Sequence, residues 1–158
     1  MQLAPSESQV RFHEPVRSVL RQKGRAVWSI GPDASVYDAL ALMAEKEIGA
    51  LVVLSGGRLA GLISERDYAR KVILQGRQSH DTKVRDIMST PVLYVAPEES
   101  IDKCLRLMTN RRVRHLPVVQ GEEVVGVLSI GDLVNWIVTS QEQEIRHLQS
   151  YIAGTYPG

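Results

Sequence analysis

Residues Val27–Asp67, VWSIGPDASVYDALALMAEKEIGALVVLSGGRLAGLISERD, are written a second time at Val92–Asp132, VLYVAPEESIDKCLRLMTNRRVRHLPVVQGEEVVGVLSIGD, with no gap between the two. About a dozen positions are identical and most others keep their polarity. A match of that length marks two copies of one small unit. The shared residues include Pro32/Pro97, Ser35/Ser100, Leu40/Leu105, Leu42/Leu107, Met43/Met108, Gly61/Gly126, Ser64/Ser129 and Asp67/Asp132.

Each copy predicts the same series of elements. Val27–Ile30 and Val92–Val95 are short β-rich runs, each stopped by a proline two residues on. Ser35 and Ser100 stand where helix N-caps belong. Behind them, Val36, Leu40, Met43 and Ala44, and Ile101, Leu105 and Met108, recur at helical spacing. Residues 50–54 and 116–119 are apolar strands that read as covered on both sides. Gly56-Gly57 and Gln120-Gly121 turn the chain, and residues 59–63 and 124–128 return it. Each return strand carries a glycine, Gly61 or Gly126, where another backbone can come close. A second helix follows, over 65–75 in the first copy and from Gly131 onward in the second. The order β-α-β-β-α defines an α+β unit whose three-stranded sheet is too small to stand alone. Two copies packed sheet to sheet would bury both apolar faces.

Outside the copies, residues 1–14 form a polar tail. Pro15 opens a short lead-in helix at Val16–Leu20, answered in the second copy by Val84–Met88. Residues 15–75 thus make the first unit, 76–83 a turn-rich linker and 84–140 the second unit. Residues 141–158 extend the last helix beyond anything in the first copy. Leu133, Val134, Ile137, Ile145, Leu148 and Ile152 form a stripe there, with Glu142 and Arg146 at pairing distance along the helix. That stripe predicts a contribution to a homodimer.

With 158 residues, 44% of them apolar, the chain can bury one good core or two half-size ones. A net charge of +1 gives no reason to expect a polyanion as partner. The single cysteine, Cys104, excludes an internal disulfide and falls at a core-facing helical position. No apolar run is long enough to span a membrane, and no secretory signal is visible. The expected compartment is the cytoplasm. His13, His80 and His147 lack partners at metal-ligand spacing, and no nucleophile elbow or triad is present. Nothing asks for catalysis.

The sharpest local pattern is Gly61-Leu-Ile-Ser64-Glu-Arg-Asp67 and its repeat Gly126-Val-Leu-Ser129-Ile-Gly-Asp132. A strand runs directly into a helix, with Ser at the junction and Asp three residues later. Ser-x-x-acid is a capping signature, and Ser35-Val-Tyr-Asp38 shows it used only as a cap. The recurrence after the same strand and glycine, with Asp in place of the longer Glu, favours a second use. A helix start with a serine hydroxyl suits a phosphate, and one carboxylate can accept from two vicinal ribose hydroxyls, as in dinucleotide folds. A dinucleotide fingerprint itself is missing, because Gly56-Gly57-x-x-x-Gly61 joins two strands.

On these residues the duplicated unit, over roughly 15–140, resembles a tandem pair of cystathionine-β-synthase-type (CBS) domains, the Bateman module. The resemblance implies two units about a pseudo-two-fold axis, with two clefts that bind AMP, ADP, ATP, NAD or S-adenosylmethionine. AMP or NAD are the preferred expectations. It implies ribose and phosphate contacts from Ser64, Arg66, Asp67, Ser129, Gly131 and Asp132. It also implies phosphate contacts from Arg114 and His115, where Arg offers a planar fork of donors. Adenine and backbone contacts would come from Ile48, Gly49, Ala50, Thr90, Val92, Val113, Leu116 and Pro117. Arg111 and Arg112 are explained by the helix dipole alone. The first copy has Ile48-Gly49-Ala50 in place of Val113-Arg114-His115, so the second cleft is the better phosphate site.

The expected function is a non-catalytic module that senses adenine nucleotide and acts on a partner protein or on its own assembly. The alternatives are a ligand-free dimerisation scaffold, and nucleic-acid binding through Arg111–His115. Near-neutral charge and the lack of interleaved aromatics argue against the last.

Overall fold

The computed structural model describes residues 12–24 and 26–152. The described parts of residues 26–94 and 117–127 form one compact unit, and those of 1–25, 95–116 and 128–158 form the other. The elements described in full follow in order: α1 (Val16–Lys23), β1 (Ser29–Ile30), α2 (Val36–Lys46), β2 (Ala50–Ser55), β3 (Arg58–Ser64), α3 (Glu65–Tyr68), a π-helical turn (Ala69–Ile73), α4 (Val84–Ile87), α5 (Ile101–Arg111), β4 (His115–Gln120), β5 (Glu123–Ser129) and α6 (Ile130–Ile152). The fold is α+β, and both copies are present in it.

The equivalent helices α2 and α5 start and stop alike. Ser35 Oγ accepts from the Asp38 N–H at 3.0 Å, and Ser100 Oγ from the Lys103 N–H at 3.1 Å, satisfying amides that have no partner inside the helix. The Asp38 N–H therefore completes a helix cap. Both helices end on a left-handed residue, Glu47 (φ 55°) and Arg112 (φ 54°). The next N–H then bonds back, Ile48 to the Met43 carbonyl and Val113 to the Met108 carbonyl. The buried face of α2 is Val36, Ala39 and Met43, and that of α5 is Ile101, Cys104 and Met108. Cys104 is fully buried, and burial pushes its thiol up to about 12, so it is a core side chain rather than a nucleophile.

In the first unit β1 pairs parallel with β2, and β2 antiparallel with β3. Leu51, Val53 and Ile63 meet Val36, Ala39 and Met43 in one core cluster. Each fully buried side chain of that size stabilises the fold by about 1.5–3 kcal/mol. Gly56 and Gly57, at φ 59° and 80°, make the β2–β3 turn that only glycine enters easily.

The lead-in helices are exchanged between the copies. Val84 N–H bonds the Ala34 carbonyl and Arg85 N–H the Pro32 carbonyl, so α4 is attached to the first copy. Val16 N–H bonds the Glu99 carbonyl and Arg17 N–H the Pro97 carbonyl, so α1 is attached to the second. These are the same two bonds at equivalent positions. Arg17 and Glu98 add an ion pair, and α1 also packs on α6. Val84 and Ile87 complete the first unit's core.

The structure departs from the sequence reading in four places. Residues 92–95 form no strand, leaving the second copy a two-stranded sheet of β4 and β5. Pro91 and Pro97 bracket that run and withhold ladder donors. The equivalent strand of the first copy is only Ser29–Ile30. The helix expected over 65–75 is regular for four residues and then widens into the π-helical turn. Finally, Glu142 and Arg146 are both exposed and make no ion pair with each other among the described residues, since holding two long side chains together gains little at a solvated surface. Trp28 is half-exposed with the Lys46 ammonium 4.2 Å from its ring centroid, whereas Trp136 is 9% exposed. Residues 1–11 of the expected tail and the Ile152 side chain lie outside what the structure describes.

Candidate functional site

Ser64 ends β3, and its carboxylate partner Asp67 stands within the first turn of α3. The two close a reciprocal capping box: the Asp67 N–H donates to Ser64 Oγ (3.1 Å), and the Ser64 N–H to Asp67 Oδ2 (3.0 Å). The Ser64 hydroxyl also donates to Oδ2 at 3.0 Å. The other oxygen, Oδ1, lies 3.3 Å from Lys71 Nζ and 3.4 Å from Ser89 Oγ. Lys71 sits one turn along from Asp67 and spends another N–H on the Ile87 carbonyl (2.9 Å), which ties the site to α4. Glu65 N–H is satisfied by the Gly49 carbonyl at 3.0 Å.

Residues 88–89 reach this site by crossing β3, where Leu62 and Ser89 exchange backbone hydrogen bonds. Gly61 makes that crossing possible. A Cβ there would lie 2.5 Å from Met88 Sδ and 3.2 Å from the Ser89 carbonyl oxygen. The glycine therefore marks a close approach, as its place in the strand suggested.

The second copy repeats the arrangement with different neighbours. Ser129 N–H donates to Asp132 Oδ2 at 2.8 Å, and Asp132 N–H to Ser129 Oγ at 3.1 Å. Ile130 N–H bonds the Arg114 carbonyl at 2.9 Å, as Glu65 does with Gly49. Trp136 replaces Lys71 at the equivalent position. The ammonium on this carboxylate comes instead from α1: Lys23 Nζ is 2.7 Å from Asp132 Oδ2. Burial by itself would raise the Asp132 carboxyl, but Lys23 and the Ser129 N–H outweigh it and hold the group below its usual 3.8. His115 moves the same way, below 6.5, because burial and then Lys23 and Arg114 disfavour the imidazolium more than Asp132 favours it.

Both aspartates are therefore true caps, and the shorter Asp closes the box as well as Glu would. Capping occupies Oδ2 and does not exhaust a carboxylate, which has acceptor capacity on two oxygens. The remaining expected residues divide by exposure. Arg66, Arg114, Thr90 and Gly131 are exposed; Ile48, Gly49, Val92, Val113 and His115 are half-buried; Ala50, Leu116 and Pro117 are buried. Arg66 and Arg114 make no ion pair among the described residues. Sequence reasoning missed Lys23, Lys71 and Ser89. Lys71 had a signal, since it stands four residues after Asp67, but Lys23 and Ser89 arrive from elsewhere in the chain. An open groove of the first unit, lined by Arg77, Gln78, Asp81, Thr82 and Asp86, contains neither aspartate.

The family model described as CBS domain matches residues 16–73 and again 84–139. The chain belongs to the CBS domain family. It is 40% identical over 151 residues to the mitochondrial CBS domain-containing protein CBSX3 of Arabidopsis thaliana, covering 89% of this chain and 73% of that one. Among solved structures it is similar to a CBS-domain protein of Burkholderia ambifaria provisionally named for signal transduction. That match has 48% identity and a TM-score of 0.77, over 80% of this chain and 96% of that one. It is also similar to a hexameric CBS-CP12 protein of bloom-forming cyanobacteria, with 29% identity and a TM-score of 0.71, over 78% and 71% of the two chains. The protein is thus a tandem CBS pair, of a kind that is commonly regulatory. Among the described residues no helix is long and apolar enough to cross a membrane.

Proposed function

We propose that this CBS pair is a non-catalytic sensor that binds an adenine nucleotide, with AMP, ADP, ATP and NAD as the candidate class, beside its two serine–aspartate turns. The observation that carries the reading is the division of labour within each carboxylate. Oδ2 caps a helix, while the carboxylate stays partly open to solvent, with Asp67 at 15% and Asp132 at 23% exposure. An acceptor fixed in that way is prepared for the hydroxyls of a ribose. Arg66 at the first turn and Arg114 at the second would supply charge for phosphate, and the His115 ring a neutral N–H donor. The second turn is the better phosphate site, because Arg114 and His115 stand where the first copy has Gly49 and Ala50. A bound nucleotide regulates only through different affinity for two states of the protein or of its assembly.

Thermal unfolding in the presence of AMP, ADP, ATP, NAD and S-adenosylmethionine tests the reading. At about 100 times the dissociation constant, a true ligand adds roughly 2.7 kcal/mol. No shift with any member of the panel overturns it. The assembly is read as a homodimer built with α6, on which Val134, Val138, Ile145 and Leu148 are all exposed apolar residues at helical spacing. A monomeric mass by light scattering contradicts that. The regulated partner is another protein, and the compartment is read as the cytoplasm, which subcellular fractionation tests against the mitochondrial name of the Arabidopsis relative.

A further inference from the structure

Asp67 is fully subscribed as an acceptor. A carboxylate offers about four lone-pair positions, and four donors face this one. Oδ2 takes the Ser64 N–H and the Ser64 hydroxyl, each at 3.0 Å. Oδ1 is met by Lys71 Nζ at 3.3 Å and Ser89 Oγ at 3.4 Å. The two oxygens are held differently. Both bonds to Oδ2 come from the residue that the carboxylate caps, so they belong to the start of α3. Both approaches to Oδ1 are longer and come from side chains that can turn away. Lys71 has a flexible stem and is 41% exposed, and Ser89 is exposed as well. On leaving Asp67, the lysine would keep its 2.9 Å bond to the Ile87 carbonyl, so its ammonium is not stranded. All of these residues lie in the first compact unit. In the second copy Trp136 stands at the position of Lys71, so the device belongs to the first copy alone.

We propose that Lys71 is a latch on the first serine–aspartate turn: with Ser89 it occupies Oδ1 of Asp67, and a ribose hydroxyl gains that oxygen only when the lysine withdraws. This inference rests on the nucleotide reading above and adds the control of one of its two sites. Apparent affinity at the first turn is then lowered by the fraction of molecules in which the latch is open. A side chain holds the site below its own capacity, and removing that side chain releases it.

Adenosine is the probe, because without a phosphate it reports the ribose contact free of any attraction to a lysine. It is titrated by calorimetry into the full chain, with AMP and ATP alongside, and into Asp132→Asn, which leaves the first turn as the site. Lys71→Met, Lys71→Arg and the pair Lys71→Met with Asp67→Asn are then added to Asp132→Asn, and the melting temperature of each variant is recorded. The modest strength of a partly exposed ion pair predicts that Lys71→Met tightens adenosine by about two- to fivefold, at a slightly lower melting temperature. Lys71→Arg should not reproduce the gain, and Asp67→Asn should abolish it. A lysine that only supports the fold predicts the opposite sign, since a loosened turn binds less well. Adenosine affinity that is unchanged or weaker in Lys71→Met overturns the proposal, as does a gain that survives Asp67→Asn. If the unaltered chain binds none of adenosine, AMP and ATP, the nucleotide reading falls and the latch with it. If it binds and Lys71→Met brings no gain, the latch alone falls.

Discussion

The two serine–aspartate turns share their capping bonds and almost none of their surroundings. Ser64 and Ser129 both cap, Asp67 and Asp132 both answer with Oδ2, and Gly49 and Arg114 both lend a carbonyl to the following helix. Around that common frame, the first turn is closed by its own helix through Lys71 and by Ser89 from the segment after α4. The second is served by α1 through Lys23. Duplication preserved what the fold needs and released what a ligand would see. The difference lies in side chains contributed from outside the repeat, so it points to two sites of unequal chemistry.

Four changes would break or sharpen that contrast. The largest effect is expected at Gly61, where alanine forces Met88 or the Ser89 carbonyl to move. Crowding of this kind costs about 1–3 kcal/mol, read as a fall of several degrees in melting temperature, and accessibility near Asp67 should change with it. Next come the caps: Ser64→Ala and Ser129→Ala should each cost about 1 kcal/mol in urea unfolding, and similar values for the two would confirm that the frame is shared. Smaller still, Lys71→Met should cost more than Lys23→Met, because Lys71 holds both a carboxylate and the Ile87 carbonyl. Both losses should lie within about 0.2–1 kcal/mol, and the reverse order would contradict the structural role given to Lys71.

The smallest effect is a pH dependence at the second turn. His115 titrates below its usual 6.5 in the folded chain, so the unfolded chain binds more protons and stability drops as pH falls below about 6.5. Asp132, also depressed, contributes stability that is complete above 3.8 and is lost as pH falls through its folded value. His115→Asn should flatten the stability profile in the upper window and leave the lower one in place. A profile unchanged by that substitution would show that His115 is not the group responsible.

Much of this was legible in the chain. The repeat located α2 and α5 with their serine caps, the β2–β3 turn and both aspartates, because those features depend on short-range chemistry that a sequence displays. The strand expected over 92–95 failed because two prolines outweigh β propensity in so short a run. The π-helical turn after Tyr68 left no periodic trace, since one widened turn barely alters apolar spacing. Lys23 and Ser89 were illegible for another reason. Each acts on a carboxylate far along the chain, and only the exchange of lead-in helices brings them there. Ser-x-x-Asp proves to be a cap in both copies, and a ligand contact from the same carboxylate belongs to the proposal, since a carboxylate has two oxygens.

The most direct test is calorimetric titration of ATP into the full chain and into Asp67→Asn, Asp132→Asn and the double variant, each checked for its melting temperature. Two acids that hold ribose hydroxyls predict at least about a tenfold loss of affinity for each single variant at its own site, larger at Asp132, with no binding in the double variant and melting temperatures within a few degrees of the unaltered chain. Undiminished affinity in the double variant, with a lower melting temperature, would contradict it and leave the aspartates as helix caps only.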